Sequence, residues 1–256
     1  MSRNLIFVLV LTCSAVLASA QARSIDPALL NKATAGDAQS QFLVGQAYAQ
    51  GSGVEQDLKQ AAAWFARAAE QGLASAQLQL GLLYDHGDGV SQDFAQAAGW
   101  YRKAALQNSA EAQYNLGVLY ERGDGVPRDY AQAADLYRRA ATQGLASAQF
   151  NLALLYDNGQ GVERDYAQAA AWYRKAAEQG VPRAQFNLGS MYAGGQGVPV
   201  DLVEAYFWFD LSARSWNGSH QQQAAEARDQ VASHLNAADL ATAKDRVTKW
   251  LAARTK

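Results

Sequence analysis

The chain has 256 residues, a length that fits one large domain or two small ones. Charged residues make up 18% of it and the formal net charge is −2, a balance that argues against a nucleic-acid-binding protein and against a disordered acidic segment. Hydrophobic residues make up 49%, which is ample for a packed core, although much of that share is alanine.

The first 22 residues carry the three-part pattern of a secretory signal peptide. One arginine is followed by an apolar run from Leu5 to Leu17 and by small residues ending at Ala20. This run is shorter than the roughly 20 residues of a membrane-spanning helix, so we expect cleavage after Ala20 or Ala22 and no membrane insertion afterwards. Cys13 is the one cysteine of the sequence, so the mature chain is expected to rest on core packing without disulfides. This pattern predicts a location in the periplasm or outside the cell.

A 36-residue period organises the rest of the chain. Three kinds of residue mark it most clearly: Tyr48, Tyr84, Tyr120, Tyr156 and Tyr192; Gly53, Gly89, Gly125, Gly161 and Gly197; Asp57, Asp93, Asp129, Asp165 and Asp201. Self-similarity at such a period is typical of a solenoid, in which each repeat buries its apolar face against its neighbours. The sequence therefore predicts five helix-pair repeats between residues 38 and 217.

The first helix of each repeat is predicted from the pattern A-Q-x-x-L-G-x-x-Y, whose apolar residues recur at helical spacing. A glycine inside a helix costs about 1 kcal/mol relative to alanine. We therefore expect the partner helix to approach closely at the glycines of four repeats, which are Gly45, Gly81, Gly117 and Gly189. The fourth repeat has Ala153 at this position, which a crowded contact can just admit.

The second helix begins with a repeated capping signal. Each aspartate of the period is followed three residues later by Gln or Glu, as in Asp129 and Gln132. This spacing predicts a capping box, in which the aspartate accepts from free N–H groups and the third helical residue reaches back. Glycines at 72, 144 and 180 are expected to end the helix, and Asn108 to do so in the second repeat.

The stretch from Tyr84 to Asp93, YDHGDGVSQD, places two aspartates, a histidine and two glycines within residues 85–89. Other repeats replace His86 by Gln, Arg, Asn or Gly, so a metal site there is not predicted. The phosphate-loop interpretation also fails, because no G-K-[ST] follows the glycines. We interpret the stretch as a turn and expect no metal or other cofactor.

The combined pattern resembles the Sel1-like repeat, a relative of the tetratricopeptide repeat. The motifs that carry the resemblance are A-Q-x-x-L-G-x-x-Y, G-x-G-V-x-x-D, A-x-x-W and A-A-x-x-G over residues 38–217. It implies an all-α fold, a right-handed α/α solenoid of five repeats. Residues 23–37 are expected to form an N-terminal capping helix. Residues 218–256 are expected to form C-terminal capping helices, because the final repeat would otherwise expose an apolar face.

The resemblance also implies a scaffold that binds other proteins, as bacterial members with signal peptides are typically adaptors. Two alternatives from the family are an immunity protein that neutralises a secreted toxin and a hydrolase of the β-lactamase-like kind claimed for cysteine-rich relatives. The mature chain lacks the cysteines of those relatives. The sequence also contains no S-x-x-K, G-x-S-x-G or H-E-x-x-H motif, and we predict no enzymatic activity.

The predicted partner-binding face lies on the first helices, which line the concave surface of a helix-pair solenoid. Positions that the repeat leaves variable are those where specificity can reside, and a spacing of three places them on one helical face. The predicted residues are the amides Gln79, Asn115, Asn151 and Asn187, the apolar Leu82, Val118 and Leu154, and the acidic Asp85, Glu121 and Asp157. Alternatively, the asparagines cap or solvate their own helices and the acids keep the surface soluble.

Overall fold

The computed structural model describes residues 24–254, and these form thirteen α-helices and no β-strand. In chain order the helices are α1 Pro27–Thr34, α2 Ala38–Gln50, α3 Leu58–Glu70, α4 Ala74–His86, α5 Phe94–Leu106, α6 Ala110–Arg122, α7 Tyr130–Thr142, α8 Ala146–Asn158, α9 Tyr166–Glu178, α10 Pro182–Gly194, α11 Leu202–Ser215, α12 Gly218–Ala232 and α13 Ala237–Arg254. The all-α prediction is confirmed. The predicted signal peptide, residues 1–22, lies outside the described part. Within that part, no helix combines the length and apolar character needed to cross a membrane.

The chain divides into two compact units, one ending at Ala104 and one beginning at Ala105. In the first unit, α1 packs on α2, α2 on α3 and α3 on α4. In the second unit, the helices from α6 to α11 each pack on the next, and α11 also contacts α12 and α13. Within each unit the helix pairs therefore stack in sequence, as a helix-pair solenoid requires.

The helix glycines face aromatic rings on the second helix of the same repeat. A Cβ atom at Gly117 would lie 2.8 Å from Cε1 of Tyr137, and one at Gly45 would lie 2.7 Å from the ring of Phe65. Real Cβ contacts are not this short, so glycine lets the ring lie against the helix backbone. The predicted close approach is confirmed, and Ala153 of the fourth repeat is fully buried at the equivalent position.

The capping-box prediction is half right. Asp129 caps α7 by accepting from the N–H groups of Ala131 and Gln132, at 2.9 and 3.0 Å. The reciprocal half is wrong, because the Asp129 N–H donates instead to the carbonyl oxygen of Tyr120 at 2.8 Å. The other four aspartates donate to the corresponding tyrosine carbonyls in the same way. Each loop is thus closed by a bond to the end of the preceding helix. The aspartate N–H that the side chain three residues later was expected to accept from is therefore already used.

The loop between the helices of a repeat also contacts the preceding repeat. Gly161 has a φ of +69°, and a Cβ atom there would lie 2.2 Å from the carbonyl carbon of Tyr130 at the start of α7. Both the left-handed backbone and the lack of space require glycine. Asn108 adopts a φ of +66°, which confirms its predicted role in place of glycine at the end of α5.

Buried glutamines link successive repeats, a feature that the sequence interpretation missed. In each repeat, one glutamine donates from Nε2 to a backbone carbonyl eight residues earlier. These residues, which we call the glutamine ladder, are Gln41, Gln77, Gln113, Gln149 and Gln185. In the second unit, the Oε1 atoms of Gln113 and Gln149 accept from Gln143 and Gln179 at 2.8 and 2.7 Å. Within residues 24–254, the buried Oε1 of Gln185 has no hydrogen-bond partner.

Two helices close the C-terminal end of the second unit. Asp210 of α11, which is 3% exposed, accepts from Arg214 at 2.6 Å and from Arg228 of α12 at 3.1 Å. Trp250 of α13 packs edge-on against Trp208, with ring centroids 5.7 Å apart. A buried carboxylate needs such partners because its desolvation is otherwise costly. The ion pairs and aromatic contacts hold both helices on the last repeat.

Candidate partner-binding face

The predicted binding residues are all partly exposed. In the first unit, Gln79, Leu82 and Asp85 lie on α4. In the second unit, the remaining residues lie on α6, α8 and α10, and they are Asn115, Val118, Glu121, Asn151, Leu154, Asp157 and Asn187. We call this second-unit set the first-helix face. Whether it binds a partner stays a prediction, but the structure shows what holds its polar side chains in place.

Each acidic residue accepts a hydrogen bond from a buried tyrosine of its own repeat. The Tyr137 hydroxyl donates to Glu121 Oε2 at 2.5 Å, and the Tyr173 hydroxyl donates to Asp157 Oδ2 at 3.1 Å. In the first unit, Tyr101 donates to Asp85 at 2.9 Å. All three tyrosines are fully buried, so each hydroxyl needs a partner and the carboxylate supplies it.

The asparagines lie near the same tyrosines from the following repeat. Burial, and then the Glu121 carboxylate, raise the pKa of Tyr137, and the Asn151 side chain opposes this rise. In the next repeat, burial likewise raises the pKa of Tyr173 and the Asn187 side chain opposes the rise. Each tyrosine therefore stays neutral and donates its hydroxyl proton to the acid of its own repeat.

The end repeats show that the acid and the tyrosine are present or absent together. In the fifth repeat, Ala193 replaces the acid and Phe209 replaces the tyrosine. In the first repeat, Ala49 and Phe65 stand at these positions. No acid remains where the hydroxyl is absent, which indicates that the carboxylates are present at least partly to satisfy the buried hydroxyls. The sequence interpretation treated the acids as a surface stripe and missed this role.

The carboxylates keep the capacity to bind a cation. A carboxylate has about four acceptor positions, and the tyrosine uses one of them in both Glu121 and Asp157. In the described part of the chain, neither carboxylate forms an ion pair with Lys, Arg or His. The negative charge of each is therefore available to a partner.

The histidines are exposed. His86 lies 3.7 Å from Asp88 at the end of α4, in the stretch interpreted as a turn. Within residues 24–254, no group of three His, Cys, Asp or Glu residues is placed to hold a metal ion. His220 stacks on the Trp216 ring at 4.6 Å, and His234 follows the end of α12. None of the three histidines joins the acidic residues of the first-helix face.

Comparison with protein families decides the classification. A family model described as the Sel1 repeat matches residues 38–73, 74–109, 110–145, 146–181 and 182–215. The chain belongs to the Sel1 repeat family. The predicted resemblance is thereby confirmed. Sel1 repeats are generally protein-interaction scaffolds, and the fold is typically non-enzymatic.

Solved structures agree with this classification. A protective antigen present in uropathogenic Escherichia coli strains, which displays an SLR fold, is 34% identical with a TM-score of 0.77 over 86% of this chain and 48% of that chain. The chain thus spans about half the length of that antigen. A Sel1 repeat protein from Oxalobacter formigenes is 40% identical with a TM-score of 0.69, over 73% of this chain and 77% of that one. No match was found among functionally curated proteins.

An immunity protein from Pseudomonas aeruginosa also aligns, over 83% of this chain and 85% of its own length. Its identity is 18% and its TM-score is 0.43. A likeness this low carries no argument for toxin immunity.

Proposed function

We propose that this Sel1 repeat protein is a non-enzymatic scaffold that binds a basic segment of a partner protein on its first-helix face. The observation that supports the proposal most directly is the fixed position of Glu121 and Asp157. Each is held by a buried tyrosine and remains partly exposed. Charged groups whose positions are fixed before binding lose less conformational entropy when a partner binds.

The asparagines suit an extended partner. Asn151 is partly exposed, and its side-chain amide can both donate to and accept from the backbone of an extended partner. Val118 and Leu154 lie one helical turn after Asn115 and Asn151 and are partly exposed. They offer apolar contact to the partner's side chains next to each amide.

The same geometry speaks against an acid–base pair. Catalysis by two carboxylates requires them to act on one substrate group. Here Glu121 and Asp157 each pair with the tyrosine of their own repeat. We therefore propose a binding role for both.

We further propose that the scaffold acts in the periplasm or outside the cell. The support is the signal-peptide pattern of the first 22 residues. N-terminal sequencing of the protein recovered from the periplasmic fraction should begin at Gln21 or Arg23. Recovery only from the cytoplasm with Met1 intact would refute this location.

Affinity capture tests the binding role, with the chain from residue 23 onward as bait and kinetic measurements on the purified partner. The double variant Glu121→Gln with Asp157→Asn removes two charges but keeps an acceptor for each tyrosine. It should slow association and reduce its salt dependence. The matched control, Glu163→Gln with Glu178→Gln, removes two charges from exposed residues outside the face and should associate normally.

Three outcomes distinguish the alternatives. A partner that binds both double variants equally well would refute the first-helix face as the site. A captured toxin encoded beside this chain would establish immunity instead of an adaptor role. Capture of no protein, together with turnover of a small molecule, would refute the scaffold.

A further inference from the structure

A cavity lies at the end of the first-helix face, between α10 of the last repeat and α12. Its volume is about 390 Å³, compared with the roughly 30 Å³ that one water molecule occupies in the liquid. The apolar residues that line it are Phe186, Ala193, Leu202, Phe209, Ala227 and Val231. Its polar lining residues are Ser190, Gln230 and His234, and the Ser190 hydroxyl already donates to the Phe186 carbonyl. The cavity can therefore hold a large apolar side chain.

The cavity exists because the last repeat has small residues at positions that the preceding repeat fills. Ser190 stands at the position of Leu154, and Ala193 stands at the position of Asp157. Phe209 has no hydroxyl, so the loss of the carboxylate leaves no buried donor unsatisfied. Small residues at both places open the surface down to the Phe209 ring, and α12 closes the far side.

A carboxylate without an ion-pair partner lies on the same helical face as the cavity, one repeat earlier. Asp157 of α8 stands at the position that Ala193, a residue lining the cavity, occupies in α10. Asp157 is partly exposed and accepts from the Tyr173 hydroxyl at 3.1 Å. Within residues 24–254 it forms no ion pair with Lys, Arg or His. Its negative charge is therefore available to a partner that also reaches the cavity.

We infer that this cavity takes a large apolar side chain from a partner segment whose lysine or arginine pairs with Asp157. The inference rests on the proposed function and narrows it to a type of segment. Packed helices lie about 8–10 Å apart, and an extended peptide advances about 3.3 Å per residue. The apolar and the basic residue should therefore be about three positions apart in the partner.

Selection from a display library of short random peptides tests the inference. With the chain from residue 23 onward as target, retained peptides should carry a large apolar residue and a Lys or Arg about three positions away. Ala193→Phe fills the cavity from α10 and Gln230→Trp fills it from α12. Each should weaken a retained peptide at least about ten-fold, because the peptide can no longer bury its apolar side chain.

Two control variants separate filling of the cavity from other effects. Gln221→Trp adds the same ring at an exposed position of α12 outside the cavity and should leave binding unchanged. Asp157→Asn keeps an acceptor for Tyr173, so it should weaken a lysine-bearing peptide but not the same peptide with glutamine in place of the lysine. Thermal unfolding shows whether each variant is folded. If Ala193→Phe does not fold, binding to the Gln230→Trp variant decides whether the cavity is used.

Each result bears on the inference separately from the proposed function. Peptides that bind both cavity-filling variants as tightly as the original chain would refute the cavity as the site of the apolar side chain. They would leave the proposed role of the first-helix face unaffected. Retained peptides without the basic residue would overturn the pairing with Asp157. Recovery of no peptide would overturn the inference, whereas the affinity capture described above tests the proposed function independently.

Discussion

The open end of the glutamine ladder gives a prediction about stability. Gln149 accepts from Gln179, thirty residues later, at 2.7 Å, but the residue thirty positions after Gln185 is Ser215. Gln179 also donates to the Gly144 carbonyl at 2.9 Å. Ser215→Gln should place an amide donor on Gln185 Oε1 and on the Gly180 carbonyl, which is the equivalent of Gly144.

The size of the effect follows from the burial of Gln185, which is 2% exposed. A buried acceptor without a partner costs about 1–3 kcal/mol, and a new internal hydrogen bond contributes about 0.5–1.5 kcal/mol net. Ordering the longer side chain offsets up to about 2 kcal/mol of this. We expect Ser215→Gln to raise the free energy of unfolding by about 1 kcal/mol, or about 2–4 °C in melting temperature.

Denaturant titration and calorimetry of matched variants provide the assay. Ser215→Glu has nearly the same shape and helix propensity as the glutamine variant but no amide donor. It should show no gain, and repulsion between its carboxylate and Gln185 Oε1 should lower its stability slightly. Equal unfolding free energies for the two variants would refute the reasoning that Gln185 Oε1 lacks a donor.

Other predictions concern the backbone, the caps and pH. Gly99→Ala should stabilise α5 by about 0.5–1 kcal/mol, since no atom lies within 4 Å of its added Cβ, whereas Gly161→Ala should destabilise by more than that. Asp129→Ala should lower the free energy of unfolding by about 1 kcal/mol, whereas Gln132→Ala should leave it almost unchanged. Equal losses for the two variants would show that both halves of the capping box are formed. Because burial raises the pKa of Tyr137, its stabilising contribution should be complete below about pH 10 and fall at higher pH. Tyr137→Phe should reduce that alkaline loss in pH-dependent unfolding.

The repeat architecture could be predicted because its signals are local and repeat five times. The aspartate caps, loop glycines and apolar spacing each depend on a few neighbouring residues. The reciprocal half of the capping box could not be predicted from spacing alone. Its outcome depends on where the Asp129 N–H points, and only the folded loop brings the Tyr120 carbonyl to it.

The polar network behind the first-helix face was harder to predict. Tyr137 and Glu121 are sixteen residues apart, so their bond depends on how the two helices of a repeat pack. The signal was nevertheless present, because Tyr gives way to Phe where the acid gives way to Ala. The glutamines of the ladder likewise recur at the 36-residue period. A polar residue that recurs at this period beside a buried alanine indicates a buried hydrogen bond.

The contact between Gly161 and Tyr130 restricts how the length of this chain can change during evolution. The loop is bound at one end to its own helix pair and lies against the preceding pair at its middle. A single inserted residue would move the glycine away from the carbonyl group and place a side chain in the contact. Gain or loss of a complete 36-residue unit preserves every such contact. Length variation among descendants of this sequence should therefore occur in whole repeats, with smaller insertions confined to the terminal helices.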